Sequence, residues 1–148
     1  MKLLSYYFNA LMENVTVFGS VFTHSILLAA AFALGDALFL VLLKGLALLY
    51  LLSMPLKFLF FKHRPRKMAY TNWWQKFEAS SFPSVHAARV LFLALALHAR
   101  FSNMLLSVLL LALAALVVYS RIHLKKHYWT DMAGGIVLGM VVYTLSAL

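Results

Sequence analysis

From Ala37 to Phe61 the chain is apolar except for Lys44, Tyr50, Ser53 and Lys57. About 20 such residues are enough to cross the hydrocarbon core of a bilayer as a helix. Four further apolar runs, at 15–34, 84–100, 104–119 and 131–148, bring the chain to 64% hydrophobic and only 11% charged residues. A soluble domain of this size has too little interior to bury that much apolar surface. In lipid, only fully hydrogen-bonded helices or closed barrels satisfy the backbone. The sequence therefore predicts an all-α, polytopic transmembrane bundle of about five spans, forming one domain over residues 1–148 of a multi-pass cell-membrane protein. Gly35-Asp36 and the stretch from Arg100 to Asn103 supply short turns that leave neighbouring helices antiparallel.

The segment 2–14 has Leu3, Leu4, Tyr7, Phe8 and Leu11 near helical spacing. It reads as an amphipathic helix lying in the interface, or equally as the frayed start of the first span. Asn9, Glu13 and Asn14 interrupt its apolar character, so it does not read as a cleaved signal peptide. There is no cysteine, which excludes disulfides.

Counting helix reversals places the two polar segments, 62–83 and 120–130, on one side of the membrane. The first carries Tyr70, Trp73, Trp74, Phe77 and Phe82. It suggests a loop at headgroup depth that anchors the protein or admits a lipid. Formal net charge is +9. In a membrane setting that balance points to anionic lipid or an anionic substrate and not to nucleic acid. Gly135 and Gly139 form a pair of small residues four apart, which lets another helix approach closely.

Three clusters could carry chemistry. Lys57 lies near the end of its helix, with Arg64-Pro65 after it, so two cations can converge at the surface. Pro83-Ser84-Val85-His86 precedes the next apolar run. Ser84 there can cap a helix whose free N–H groups and dipole face an anion. Finally, Ser120-Arg121, His127 and Asp131 lead into the last helix. A carboxylate four residues after a histidine can keep one ring nitrogen protonated and leave the other free to attack. Lys57, Arg64, Arg121 and the Ser84 amide form a plausible cradle for a phosphoryl group, with two histidines to share the roles of nucleophile and acid.

The order Lys57-x6-Arg64-Pro65, Pro83-Ser84-Val85-His86 and Ser120-Arg121-x5-His127-x3-Asp131 resembles the signature of the type 2 phosphatidic acid phosphatase superfamily. The motifs frame residues 57–131. The resemblance implies that His127 attacks phosphorus to give a phosphohistidine, that Asp131 orients it, and that His86 protonates the leaving oxygen. It implies phosphate binding by Lys57, Arg64, Ser84, Val85 and Arg121, with Pro65, Pro83 and Ser120 in support, and neither a cofactor nor a metal. The substrate class it implies is a lipid phosphate or diphosphate, with polyprenyl (undecaprenyl) diphosphate, phosphatidylglycerophosphate and phosphatidic acid as candidates. A phosphotransferase of the same fold and a non-catalytic lipid-phosphate-binding protein are the other readings.

Val85 stands where the family usually has glycine, and many relatives have six spans. Arg89, three residues after His86, can face the same site, whereas His24, His63, His98 and His123 read as structural. Lys44, inside a helix, reads as snorkelling to the interface. Lys62, Arg66, Lys67, Lys76, Lys125 and Lys126 lie on the motif face, with Arg100 nearly alone opposite. The positive-inside rule assigns that face to the cytoplasm. Many relatives act on the outer or lumenal face, so the two arguments point opposite ways.

Overall fold

The computed structural model describes residues 2–66 and 68–148. Lys67, counted above among the cations of the motif face, lies outside the described residues. The chain folds as α1 (Lys2–Val15), a 3₁₀ turn (Thr16–Gly19), α2 (Val21–Ala33), α3 (Leu38–Leu59), α4 (Trp73–Ala79), α5 (Val85–Phe101), α6 (Met104–His123) and α7 (Trp129–Ala147). Among the described residues there is no strand, only an isolated bridge between His63 and Ser80.

Helices α3, α6 and α7 are long and apolar enough to cross a membrane. The pair formed by α1 with its 3₁₀ turn and α2 passes the same test if taken as one span, bent by 45°. The apolar run expected to begin at residue 15 is thus broken. Ser20 is extended and its side chain accepts from the Thr23 amide, which starts a new helix there. Helix α5 has 17 residues, about 25 Å of rise, and carries Arg89, His98 and Arg100. The sequence boundaries shift in two further places. Helix α6 runs on to His123, so Ser120 and Arg121 lie in its last turns and not in a loop. The segment 62–83, expected as a loop, contains α4, capped by the Asn72 side chain.

Helix α5 is the centre of the bundle, with α7, α6, α3 and the 3₁₀ turn packed around it. Gly135 and Gly139 make the α5–α7 contact possible. A Cβ on either would lie 2.5 Å from a carbonyl oxygen of α5, that of Ser84 or Ala88. The small pair therefore serves internal packing. Leu42, Leu49, Phe92, Leu138 and Val142 fill the apolar middle. His24 is buried there, bonded to the Leu42 carbonyl at 3.0 Å and stacked on Phe92, a structural role as expected. Phenylalanines, leucines and valines cover the outside of the helices.

At one end the two turns are tied by the Arg100–Asp36 ion pair at 2.8 Å. At the other, the polar segments meet, with the Arg66 amide donating to the Lys125 carbonyl and the Ser84 amide to the Asp131 carbonyl, both at 3.0 Å. Buried polar side chains concentrate at this second end, among them Lys57, Ser84, Arg121, His127 and Asp131. That polarity inside and apolarity outside is the reverse of a soluble domain and suits a bilayer.

Candidate active site

A cavity of about 420 Å³ opens at the polar end. Helix α5 supplies Val85, His86 and Arg89. Helix α3 supplies Tyr50 and Lys57, and the end of α6 with the following turn supplies Arg121, Lys126 and His127. Arg64 and Glu78 close it from the 62–83 segment, and Thr16 and Ser20 from the N-terminal part.

His127 lies two residues before α7 and is 3% exposed. Its Nδ1 is 2.8 Å from the Ser81 carbonyl oxygen, while Asp131 Oδ2 stands behind at 3.8 Å. A carbonyl only accepts, so Nδ1 carries the proton. Nε2 faces Arg121 Nη2 at 3.5 Å, and a guanidinium only donates, so Nε2 is the unprotonated nitrogen and its lone pair accepts this long bond. Burial is the main force that pushes the His127 pKa down to about 4. Asp131 opposes the shift, and Arg121, Arg64 and Lys57 add to it. The ring is therefore neutral near pH 7.

Asp131 is fully buried in the first turn of α7. Its Oδ2 accepts from the Tyr128 amide at 2.8 Å, and its Oδ1 from Lys62 Nζ at 2.8 Å. The carboxylate thus caps its own helix and pairs with a lysine. The direct acceptor for the His127 Nδ1 proton is the Ser81 carbonyl, and Asp131, the residue expected to orient the ring, stands behind it at 3.8 Å.

The cations converge. Lys57 Nζ donates to the Ser80 carbonyl at 2.6 Å and sits 5.1 Å from the Phe77 ring centre. Phe77 is buried beside it, whereas Trp73 and Trp74 are exposed. Arg64 donates to the Glu78 carbonyl at 2.5 Å, and Arg121 to Thr16 Oγ1 at 2.9 Å. Nε of both arginines is buried without a partner. Burial lowers the pKa of Arg64 and of Lys126, and Arg121 pushes Lys126 down further. Cations crowded in this way gain from an incoming anion.

Ser84 caps α5, its Oγ accepting from the Ala87 amide at 3.4 Å. Because its own amide is bonded to the Asp131 carbonyl, the Ser84 N–H is not a free donor, contrary to expectation. The helix start instead offers the amides of Val85 and His86, which have no intrahelical acceptor. Val85 and His86 are half-buried on the cavity wall. Pro83 is buried, while Pro65 is exposed. Ser120 is buried with its hydroxyl turned back to the Val117 carbonyl at 2.7 Å, so it supports α6 and does not face the cavity.

The PAP2 superfamily model matches residues 38–148, which include every motif above. The chain belongs to the PAP2 superfamily. Its fold is similar to the crystal structure of Aquifex aeolicus LpxE, with a TM-score of 0.79 and 21% identity over 95% of this chain and 86% of that one. It is also similar to the first transmembrane PAP2 type phosphatidylglycerolphosphate phosphatase from Bacillus subtilis, with a TM-score of 0.68 and 24% identity over 95% and 75% of the two chains. No curated protein matches the sequence.

Within this PAP2 fold, several residues in or beside the site carried no signal of their own in the sequence. Lys62 counted only as a surface charge, yet it binds Asp131 and Thr130 and lies 4.5 Å from the Tyr128 ring centre. Thr16 and Tyr50 reach the site from outside the motifs. Arg89 does face it, as its spacing from His86 allowed.

Proposed function

We propose that this PAP2-superfamily protein is a membrane lipid phosphatase that removes the terminal phosphate of a lipid phosphate or diphosphate without a metal ion. The observation that carries the reading is His127, with Nδ1 tied to the Ser81 carbonyl, Asp131 behind it and the unprotonated Nε2 beside Arg121. Lys57, Arg64, Arg121 and the amides of Val85 and His86 surround the phosphate oxygens and oppose the charge that develops on them in transfer. Nε2 attacks phosphorus, the bond to the lipid oxygen breaks, and His86, starting as the protonated imidazolium, gives that oxygen a proton and is left neutral. Asp131 stabilises the positive imidazole ring of the phosphohistidine. Water then attacks phosphorus, His86 takes its proton, and phosphate leaves with His127 restored.

In this reading the charge opposite the phosphate comes from Lys57, Arg64 and Arg121, which line the cavity, and not from a metal ion. For the topology, we read the bent N-terminal pair and α5 as crossing the membrane together with α3, α6 and α7. This gives five spans in one domain, with the cavity near the headgroups and Trp73 and Trp74 outside it.

The test is phosphate release by the detergent-purified chain, with EDTA present, from a polyprenyl diphosphate, phosphatidylglycerophosphate and phosphatidic acid. Release that is lost in His127→Ala supports the reading. Release that needs an added metal, or that survives His127→Ala, contradicts it.

A further inference from the structure

Arg89 is a buried cation that the phosphatase chemistry above does not use. It is 2% exposed and lines the cavity one helical turn after His86, about 4.5 Å further along α5. Its Nη1 donates to the Gly19 carbonyl at 3.0 Å, and its Nη2 to the Tyr50 hydroxyl at 3.4 Å, while Nε has no partner. The guanidinium lies 5.7 Å from the Tyr50 ring centre. The ion pairs among the described residues join Lys62 to Asp131, Arg100 to Asp36 and His127 to Asp131, so none of them neutralises Arg89. A buried charge left without a counter-ion is costly. A chain that keeps one inside its cavity has a use for an anion there.

We propose that Arg89 and Tyr50 form a second anion subsite beyond His86, which takes the inner phosphate of a lipid diphosphate. The proposal rests on the phosphatase reading, and it selects the diphosphate among the substrates that reading allows. Two arguments lead to it. The first is position. Residues three apart on a helix share a face, so a substrate whose bridging oxygen meets His86 presents its next group to Arg89. In a monoester that group is carbon, and in a diphosphate it is a second phosphate. The second is charge. Lys57, Arg64, Arg89, Arg121 and Lys126 line the cavity against Glu78 alone. A terminal phosphomonoester carries about two negative charges, and a diphosphate ester about one more.

The reaction balances without another reactant. The His127 Nε2–phosphorus bond forms at the terminal phosphate, and the bond to the bridging oxygen breaks. The electron pair stays on that oxygen, now part of a lipid monophosphate held by Arg89.

The test compares farnesyl diphosphate with farnesyl monophosphate, which differ only in the inner phosphate, through kcat/KM for phosphate release by the full chain in detergent. Wild type should prefer the diphosphate. Arg89→Gln should lower the diphosphate-to-monophosphate ratio by about 10- to 100-fold, the worth of a charge-assisted hydrogen bond to a buried partner. Arg89→Lys should restore part of it. If both substrates fall together at a constant ratio, Arg89 only ties α5 to Gly19 and the proposal is wrong. Should Arg89→Gln not fold, wild type still decides. Methylenediphosphonate must compete against the monophosphate at least about 10-fold more tightly than inorganic phosphate does, and equal competition overturns the subsite. Should wild type release phosphate from neither substrate, the phosphatase reading fails. The subsite is then judged separately, by calorimetric binding of methylenediphosphonate against phosphate.

Discussion

Replacing Asp131 by Asn separates the two things a carboxylate can do for a histidine nucleophile. The carboxylate can hold the tautomer, or it can stabilise the charge that forms on the ring. In this structure the Ser81 carbonyl already accepts the Nδ1 proton at 2.8 Å, so the tautomer survives in Asp131→Asn. What is lost is a negative charge 3.8 Å from Nδ1. At an effective dielectric constant of about 20 that charge is worth about 4 kcal/mol to a fully formed imidazolium. Lys62, 2.8 Å from Oδ1, offsets part of it, which leaves about 2 kcal/mol at the lower end. The expected fall in kcat is therefore between about 30-fold and about 1,000-fold. It should be accompanied by a downward move of the acid limb of kcat/KM, because Asp131 holds the His127 pKa up. The assay is steady-state phosphate release across pH by wild type, Asp131→Asn and His127→Ala, each checked for a folded thermal transition. Loss in Asp131→Asn as complete as in His127→Ala would refute the reasoning, and would make Asp131 and not Ser81 the keeper of the tautomer.

The remaining predictions concern proton transfer and packing. The acid limb of wild-type kcat/KM should lie near pH 4, since His127 must be neutral to attack, with a fall at higher pH as His86 loses the proton it donates, and an acid limb near 6.5 would show that burial does not set the His127 state. His86→Ala should cost about 10²- to 10⁴-fold with phosphatidic acid, whose leaving alkoxide needs a proton, but far less with p-nitrophenyl phosphate; an equal loss on both would remove the acid role. Gly139→Ala should push α7 off α5, because the new methyl would lie 2.5 Å from the Ala88 carbonyl oxygen. A loss of about 1–3 kcal/mol, read as a lower unfolding midpoint in detergent, is expected, and an unchanged midpoint would count against this close contact.

The sequence carries the helices where apolar length decides them, as in α3, which matches the run from Ala37 to Phe61 almost to the residue. It is a weaker guide where a polar residue competes. Ser20 starts α2 late and leaves the N-terminal span bent, and a few polar residues do not stop α6 before His123. The candidate site is legible where side chains recur at fixed spacing, which is how His86, Arg121, His127 and Asp131 come together on paper. Backbone groups have no such signature. The Ser81 carbonyl that orients His127 and the engaged Ser84 amide follow only from how 62–83 folds back on the bundle. Contacts between distant segments are equally silent, as with Thr16 on Arg121 and Lys62 on Asp131. The 62–83 segment looks like a uniform aromatic loop because its composition is interfacial throughout. Asn72 nonetheless caps a helix there and turns Phe77 inward over Lys57.

Trapping the covalent intermediate tests the central claim most directly. Wild-type protein mixed with a polyprenyl diphosphate in EDTA and quenched in alkali should carry a phosphate that is stable in base and labile in acid, mapped by mass spectrometry to His127 and linked through Nε2. Phosphate release with no phosphoenzyme, or a phosphate on His86 or linked through Nδ1 of His127, would contradict the account.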